Sequence, residues 1–346
     1  MIDKFYNIAK KYNELETLRR NLNEKITEFI KGYYKEGKFT PYLNNFLFNY
    51  LERCRYTKDD VRPLLTKLGY EINKEDNDLK DILPAMASIH SILLGFIPID
   101  DIIDGVFKED FKKTDEFAME LALAYSLSTK FKEGGRNILR RYYGNLPNYS
   151  EIDELISMCI ERLDGSHTFE INFHHKIPLS DYSIEDYIKL IDEATSVFIA
   201  TAFTCGGLIA GINERIKKAM WEFGIALGRL CQIRDDFLDY VDSKITGKLP
   251  FADLFGKRKR FPLLIAYKIG SETEKKQINE ILHKKEMTIN DIVKIMELIS
   301  SAKVKKESRN IILKIKKEAR KKIALLPQVK PVIFILFNLL DLFSEL

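Results

Sequence analysis

Apolar residues recur along this chain at intervals of three and four, the spacing that lines one face of an α-helix. Ile8, Tyr12 and Leu15 open the first stripe, and Leu43, Phe46, Leu47, Tyr50 and Leu51 carry a second. Residues 153–163 and 184–210 continue the pattern. The latter is opened by Tyr182 and Ser183 ahead of Glu185 and Asp186, a helix start with acidic residues in its first turn. No segment shows the strict alternation of a strand. Turn-forming residues predict breaks near 37–41, 71–78, 130–135, 144–150, 174–182, 244–262 and 270–273. None of these is rich enough in Gly and Ser to act as a flexible linker. The pattern predicts one all-α domain over residues 1–346, built from roughly ten helices.

Composition agrees with that reading. Only 17 Gly and 10 Pro occur in 346 residues, so the many turns of a sheet-rich fold are absent. At 45% hydrophobic and 31% charged the chain is globular in composition. Its 55 Lys and Arg against 51 Asp and Glu leave a net charge of +4, too balanced for a nucleic-acid binder. Cys54, Cys159, Cys205 and Cys231 are scattered without a CxxC pair, and the N-terminus is charged from its third residue. Both features predict a cytoplasmic protein.

Two segments bear on membranes. Residues 331–346, PVIFILFNLLDLFSEL, carry Asp341 and Glu345 and fall short of the ~20 apolar residues of a span. No transmembrane segment is expected; a buried terminal helix is the first reading and peripheral membrane contact the second. Residues 303–322 hold ten Lys or Arg, yet Val304, Ile311, Ile312, Ile315 and Ala319 keep a helical stripe. This predicts a solvated helix face, with anionic-surface binding as the alternative.

The chemically informative feature is a pattern that occurs twice. Residues 100–104 read Asp-Asp-Ile-Ile-Asp and residues 235–239 read Asp-Asp-Phe-Leu-Asp. On a helix, positions i, i+1 and i+4 share one side, so Asp100, Asp101 and Asp104 converge, as do Asp235, Asp236 and Asp239. Like charges at that spacing repel, and apolar flanks make the clusters costlier still. Hard divalent cations compensate such clusters, and Mg²⁺ suits a few carboxylates supplemented by substrate phosphates. Two facing Mg²⁺ sites are predicted, with Asp100, Asp101 and Asp235 central to catalysis. The second cluster is followed by Gly247-Lys248, Asp253, Gly256-Lys257 and Lys259. Lysines in glycine-containing loops are suited to phosphate oxygens as mobile point charges. Gly206, Gly207 and Gly211 in a helical run predict close helix packing.

QIRDDFLD, followed by Gly-Lys, Asp253-Leu254 and GKRKRFPLL, resembles the second aspartate-rich region of the trans-isoprenyl diphosphate synthases. IDDIID resembles their first, and Arg62-Pro63-Leu64-Leu65 the end of their early GGKRxRPLL segment. Tyr187-Ile188 through Thr195, and Gly206 through Gly211, fit their middle helices. The resemblance implies an all-α isoprenoid-synthase helical bundle with a central cavity, usually a homodimer. It also implies three Mg²⁺ ions and an allylic prenyl diphosphate that ionises to an allylic cation. Diphosphate contacts are then expected from Arg62, Gln232, Lys248 and Lys257, and a prenyl pocket at Leu93, Phe96 and Phe169.

The sequence departs from that family where isopentenyl diphosphate, the second substrate, binds. Asp59 stands at the usual Lys of GGKRxRP and Asp60 at the Arg after it. Leu93 replaces a His or Gln, Glu109-Asp110 an Arg pair, and Ala194 a Lys. Carboxylates would repel a diphosphate. The expectation is therefore an enzyme that ionises one allylic diphosphate and lets the cation cyclise, be quenched or pass to another acceptor, as a terpene synthase or unusual prenyltransferase does. The alternatives are ordinary chain elongation, with Lys58 or Lys112-Lys113 as displaced ligands, and a non-catalytic subunit of a heteromeric synthase.

Overall fold

The computed structural model describes residues 2–36, 51, 60–74, 79–103, 114–240 and 251–345, and its elements are all helical. In chain order they are α1 (Ile2–Glu36), α2 (Arg62–Glu71), α3 (Leu83–Ile103), α4 (Thr114–Tyr143) and α5 (Tyr149–His175). Next come α6 (Ile184–Ile191), a π-helical turn at Asp192–Ser196, α7 (Val197–Ile209) and α8 (Glu214–Leu238). The chain ends with α9 (Ala252–Phe255), α10 (Phe261–Ile269), α11 (Glu272–His283), α12 (Ile289–Ile299), α13 (Ala302–Ile323) and α14 (Lys330–Phe343). The all-α expectation holds. The chain divides into two compact units, one of Met1–Ile160, Ile199–Trp221 and Leu325–Asn338, the other of Glu161–Phe198, Glu222–Ala324 and Leu339–Leu346.

In the first unit α3 is the core helix, with every residue from Pro84 to Pro98 buried. Leu83–Asp100 is apolar and long enough to cross a membrane, and 83% of it is buried within the protein. Along α1, Leu22, Ile26, Ile30 and Tyr34 form a buried stripe at four-residue spacing. The predicted break at 130–135 does not exist, because α4 runs straight through Gly134 and Gly135. Those glycines mark close packing instead. A Cβ on Gly134 would lie 2.0 Å from the Tyr34 hydroxyl, and one on Gly135 would lie 2.6 Å from Ile92 Cγ1. Ser88 and Ser91 of α3 donate to the Gly135 and Phe131 carbonyls of α4 at 2.7 and 2.8 Å.

Helix starts in the second unit are locally encoded. Ser183 with Asp186, Ser271 with Glu274 and Thr288 with Asp291 form reciprocal capping boxes at the starts of α6, α11 and α12. The predicted helix over 184–210 is present but holds the π turn at 192–196, tied down by Arg229 on Asp192 (2.8 and 2.6 Å) and Arg162 on Glu193 (2.5 Å). In α14, Val332, Leu336, Leu340 and Phe343 are buried, as the terminal-helix reading requires.

The predicted close packing at Gly206 is present, since a Cβ there would sit 1.9 Å from the Thr66 carbonyl of α2. Backbone cannot yield as a side chain can, so Gly206→Ala should destabilise by about 3 kcal/mol. At Gly165 of α5 a Cβ would point into open space, with no atom within 4 Å, so Gly165→Ala should stabilise by up to about 1 kcal/mol. Urea unfolding of both variants checks the opposite signs.

Candidate active site

Asp100 and Asp101 fall on the last turn of α3, beyond Pro98, through which the helix continues to Ile103. Burial ends abruptly here: Pro98 is buried, Ile99 half-buried and Asp100 exposed. The core helix thus delivers its carboxylate end to solvent. Asp104, Glu109, Asp110 and Lys112-Lys113 lie outside the described residues. One turn back, Phe96 is 4% exposed, with the Lys132 ammonium 3.9 Å from its ring centroid. Leu93 is also buried. Gly95 opens no space beside Phe96, because a Cβ there would meet Lys132 Cγ at 2.7 Å and the Ser128 carbonyl at 2.8 Å.

The segment preceding α2 corrects the charge reading. Asp60 is 2% exposed and faces inward. Its Oδ1 accepts from the Arg62 backbone N–H at 3.0 Å and from Arg62 Nη1 at 3.1 Å, and its Oδ2 lies 2.9 Å from His90 Nδ1. Burial alone would raise the Asp60 carboxyl, but the His90 bond and the Arg62 charge outweigh it and hold it below its usual value. Asp60 is a neutralised internal anion and repels nothing in solution. Lys58 and Asp59 lie outside the described residues.

In the second acidic motif, burial separates three chemically identical side chains. Asp235 is exposed. Asp236 is 1% exposed: its Oδ2 accepts from the Tyr187 hydroxyl (2.7 Å) and the Phe261 N–H (3.0 Å), and its Oδ1 from Gln232 Nε2 (2.8 Å). Burial pushes its carboxyl up, with Arg260 opposing. Both oxygens are engaged, so Asp236 enters the motif as an anchor joining α6, α8 and α10. Gln232 is similarly committed, its Oε1 accepting from Thr195 in the π turn at 2.7 Å. Asp239, 6% exposed, accepts the Asp253 N–H at 3.2 Å and so fixes the start of α9.

The cations that follow are dispersed rather than pooled. Lys257 takes the left-handed conformation (φ 54°), closing α9 with Lys257 N–H on Leu254 and Arg258 N–H on Asp253. Its ammonium bonds the Lys284 carbonyl. Arg258 pairs with Asp253 at 3.1 Å, and Arg260 with Glu170 at 3.0 Å and Asp253 at 3.4 Å. Lys259 is buried with its ammonium on the Phe173 and Ile177 carbonyls, where a cation meets the negative end of α5. It is a structural cap, not the phosphate ligand its place in the loop suggested. Lys248 lies outside the described residues. Phe169, on α5, is 42% exposed. An apolar groove of about 730 Å³ in this unit, lined by Phe255, Ile289 and Val293 among others, contains none of the predicted site residues.

Among the described residues, no three His, Cys, Asp or Glu side chains form a ready-made metal cage. The donor set still fits Mg²⁺ in kind. Exposed Asp100 and Asp235 offer hard oxygens at helix positions, and this ion keeps waters and takes phosphate oxygens rather than full protein cages.

The partners Tyr187, Thr195, Glu170 and Arg260 were not predicted. Arg260 and Glu170 are ninety positions apart and carry no local signal. Asp60 had one, since an Asp two residues before a helix-opening Arg-Pro accepts the Arg N–H.

Asp236→Ala should lower stability by about 3 kcal/mol because it strands two buried donors, Tyr187 and the Phe261 N–H, and the half-buried Gln232 amide, whereas Asp235→Ala should change it by less than about 0.5 kcal/mol. Chemical denaturation of the pair checks this. His174 supplies a pH dependence. Its Nδ1 accepts the Lys259 N–H at 3.0 Å, and burial pushes its pKa down to about 4, against the opposing pull of Glu170. The unfolded chain therefore binds more protons as pH falls from about 6.5 to about 4, and up to about 3 kcal/mol of stability is lost across that window. His174→Asn, which keeps an acceptor for Lys259, should flatten the slope of unfolding free energy against pH.

The sequence model of the family described as Polyprenyl synthetase matches residues 54–299. A short chain isoprenyl diphosphate synthase of Methanocaldococcus jannaschii is 26% identical over 282 residues, 81% of this chain and 82% of that protein. A geranylgeranyl pyrophosphate synthase of Geoglobus acetivorans is 24% identical over 73% of this chain and 75% of its own. The crystal structure of geranylgeranyl pyrophosphate synthetase from Pyrococcus horikoshii superposes with a TM-score of 0.80 at 22% identity, covering 97% of this chain and 99% of that one. With its core matched over both acidic motifs and its fold shared almost end to end, this chain belongs to the polyprenyl synthetase family.

Proposed function

We propose that this protein is a Mg²⁺-dependent prenyl diphosphate synthase that elongates an allylic diphosphate with isopentenyl diphosphate. This replaces the terpene-synthase-like expectation with the alternative weighed beside it. The observation that carries the reading is the burial of Asp60. The expectation of one substrate rested on carboxylates facing the second diphosphate, and the described carboxylate of that set is consumed by Arg62 and His90. What the segment keeps partly exposed is a cation, Arg62. The relatives named above are themselves diphosphate synthases, which supports the same choice.

In this reading Asp100, Asp101 and Asp104 of the first motif, and Asp235 with Asp239 of the second, hold Mg²⁺. The bound ions supply positive charge that stabilises pyrophosphate as it leaves. Lys248 adds a charge-assisted hydrogen bond to the allylic diphosphate, and Arg62 holds the isopentenyl diphosphate; Lys257, expected beside Lys248, has its ammonium on the Lys284 carbonyl instead. Tyr187, Gln232 and Phe261 hold Asp236 and thereby fix the helix face that carries Asp235. Leu93 and Phe96 bound the prenyl chain, with Lys132 packed on the Phe96 ring.

The test is incubation with Mg²⁺ and geranyl, farnesyl or geranylgeranyl diphosphate, with and without isopentenyl diphosphate, followed by mass analysis. Longer prenyl diphosphates should form only when isopentenyl diphosphate is present. Consumption of the allylic substrate alone, to hydrocarbon or alcohol, would refute the proposal. Asp100→Ala and Asp235→Ala should each slow turnover at least about 100-fold, the scale of losing a group that stabilises developing charge. Wild-type turnover in either variant would remove that residue from the site.

A further inference from the structure

The solvated face expected at residues 303–322 is present on α13, and its cations divide into two sets. Five pair with carboxylates: Lys303 with Glu274 at 2.5 Å, Lys316 and Arg320 with Asp341 at 2.8 and 3.3 Å, Lys321 with Glu318 at 2.8 Å, and Lys322 with Glu222 at 2.7 Å. The other five, Lys305, Lys306, Arg309, Lys314 and Lys317, are exposed, and their side chains make no hydrogen bond or ion pair among the described residues. They stand in two neighbouring rows at four-residue spacing. Lys305, Arg309, Leu313 and Lys317 form one, a single position on from the buried row of Val304, Ser308 and Ile312. Lys306, Asn310 and Lys314 form the next, further round the helix and also exposed. Like charges three and four residues apart repel along a helix, so this face costs the isolated fold stability. Residues 303–322 carry +8, from ten Lys or Arg against Glu307 and Glu318, in a chain whose net charge is +4. The rest of the chain is therefore net −4, with 45 Lys and Arg against 49 Asp and Glu. Attraction for anions is concentrated on this one helix.

We propose that this face of α13 docks on the surface of a membrane containing anionic phospholipids. Charge complementarity supplies the attraction. Leu313, 52% exposed and set between Arg309 and Lys317 in its row, supplies an apolar side chain for the headgroup boundary. Lysine stems lie along such a boundary while their ammonium groups reach the phosphates. A single-stranded nucleic acid fits less well, because α13 holds no aromatic side chain on which bases could stack. None of these residues belongs to the acidic motifs or their partners, so the docking face is independent of the reaction assigned above.

Sedimentation of the full-length protein with lipid vesicles tests this. Wild type should sediment with vesicles of equal parts phosphatidylcholine and phosphatidylglycerol, and stay in solution with phosphatidylcholine alone. Binding should weaken as salt rises from about 0.05 to about 0.5 M, which screens surface charge. Lys306→Gln, Arg309→Gln and Lys317→Gln combined should lower partitioning about 100-fold, at roughly fivefold for each cation near the surface. Leu313→Ser should lower it severalfold. Lys276→Gln, Lys285→Gln and Lys294→Gln combined remove the same charge from exposed positions outside α13. That control should stay within about threefold of wild type, since charges beyond a Debye length are screened. Every replaced side chain is exposed, so thermal midpoints and turnover in solution should match wild type in all variants. An equal loss in both triple variants would make binding a property of net charge and overturn the proposal. Wild-type partitioning in Leu313→Ser would mean that nothing enters the headgroup layer, and would overturn the membrane reading. Failure of wild type to sediment with the mixed vesicles at low salt would also overturn it, and retention on a DNA oligonucleotide instead would assign the face to nucleic acid.

Discussion

The Asp236 carboxylate is the point through which the second unit holds its acidic motif, because an anion 1% exposed persists only if donors surround it. Those donors come from three places in the sequence: Tyr187 on α6, Gln232 one turn earlier on α8, and the first N–H of α10 at Phe261. Satisfying one carboxylate thus fixes the rotation of α8, and with it the direction in which Asp235 is presented to solvent. The π turn belongs to the same arrangement, since it brings Thr195 onto Gln232. An extra residue in a helical turn is costly and recurs where a side chain must be re-aimed.

The basic run at 257–260 follows the same physics with the opposite sign. Four consecutive cations would repel one another if they shared a face. Here they are spread over several acceptors: Lys257 on the Lys284 carbonyl, Lys259 on the end of α5, and Arg258 and Arg260 sharing Asp253, with Glu170 as a second partner of Arg260. Arg260 is stabilised by the carboxylates around it, and Glu170 is held well below its ordinary range by that guanidinium although burial works against it. Arg258, Lys259 and Arg260 tie α5, α9 and the start of α10 together.

Asp60 shows how a substitution in a motif can mislead. Read as a letter, an acidic residue at a basic position signals repulsion. In place, it is an internal acceptor whose charge is balanced within 3.1 Å. The sign of a residue's effect on a ligand depends on whether its charge reaches the ligand or ends on a neighbour.

Periodicity and the two DDxxD repeats established the helical class, the family and the acidic residues from the sequence alone, because those features depend on spacing within a single helix. The starts of α6, α11 and α12 were equally local, written in Ser183, Ser271 and Thr288 and the acid three residues beyond each. The false break at 130–135 came from reading glycine as a turn former, when Gly134 and Gly135 serve helix contact. Tertiary structure alone decided which member of the second motif is exposed. Asp235 and Asp236 are identical and adjacent, yet one meets water and the other three donors. No spacing rule distinguishes them, since two of those donors arrive from 25 and 49 residues away. The same holds for Asp60, whose role was set by a histidine 30 residues along the chain.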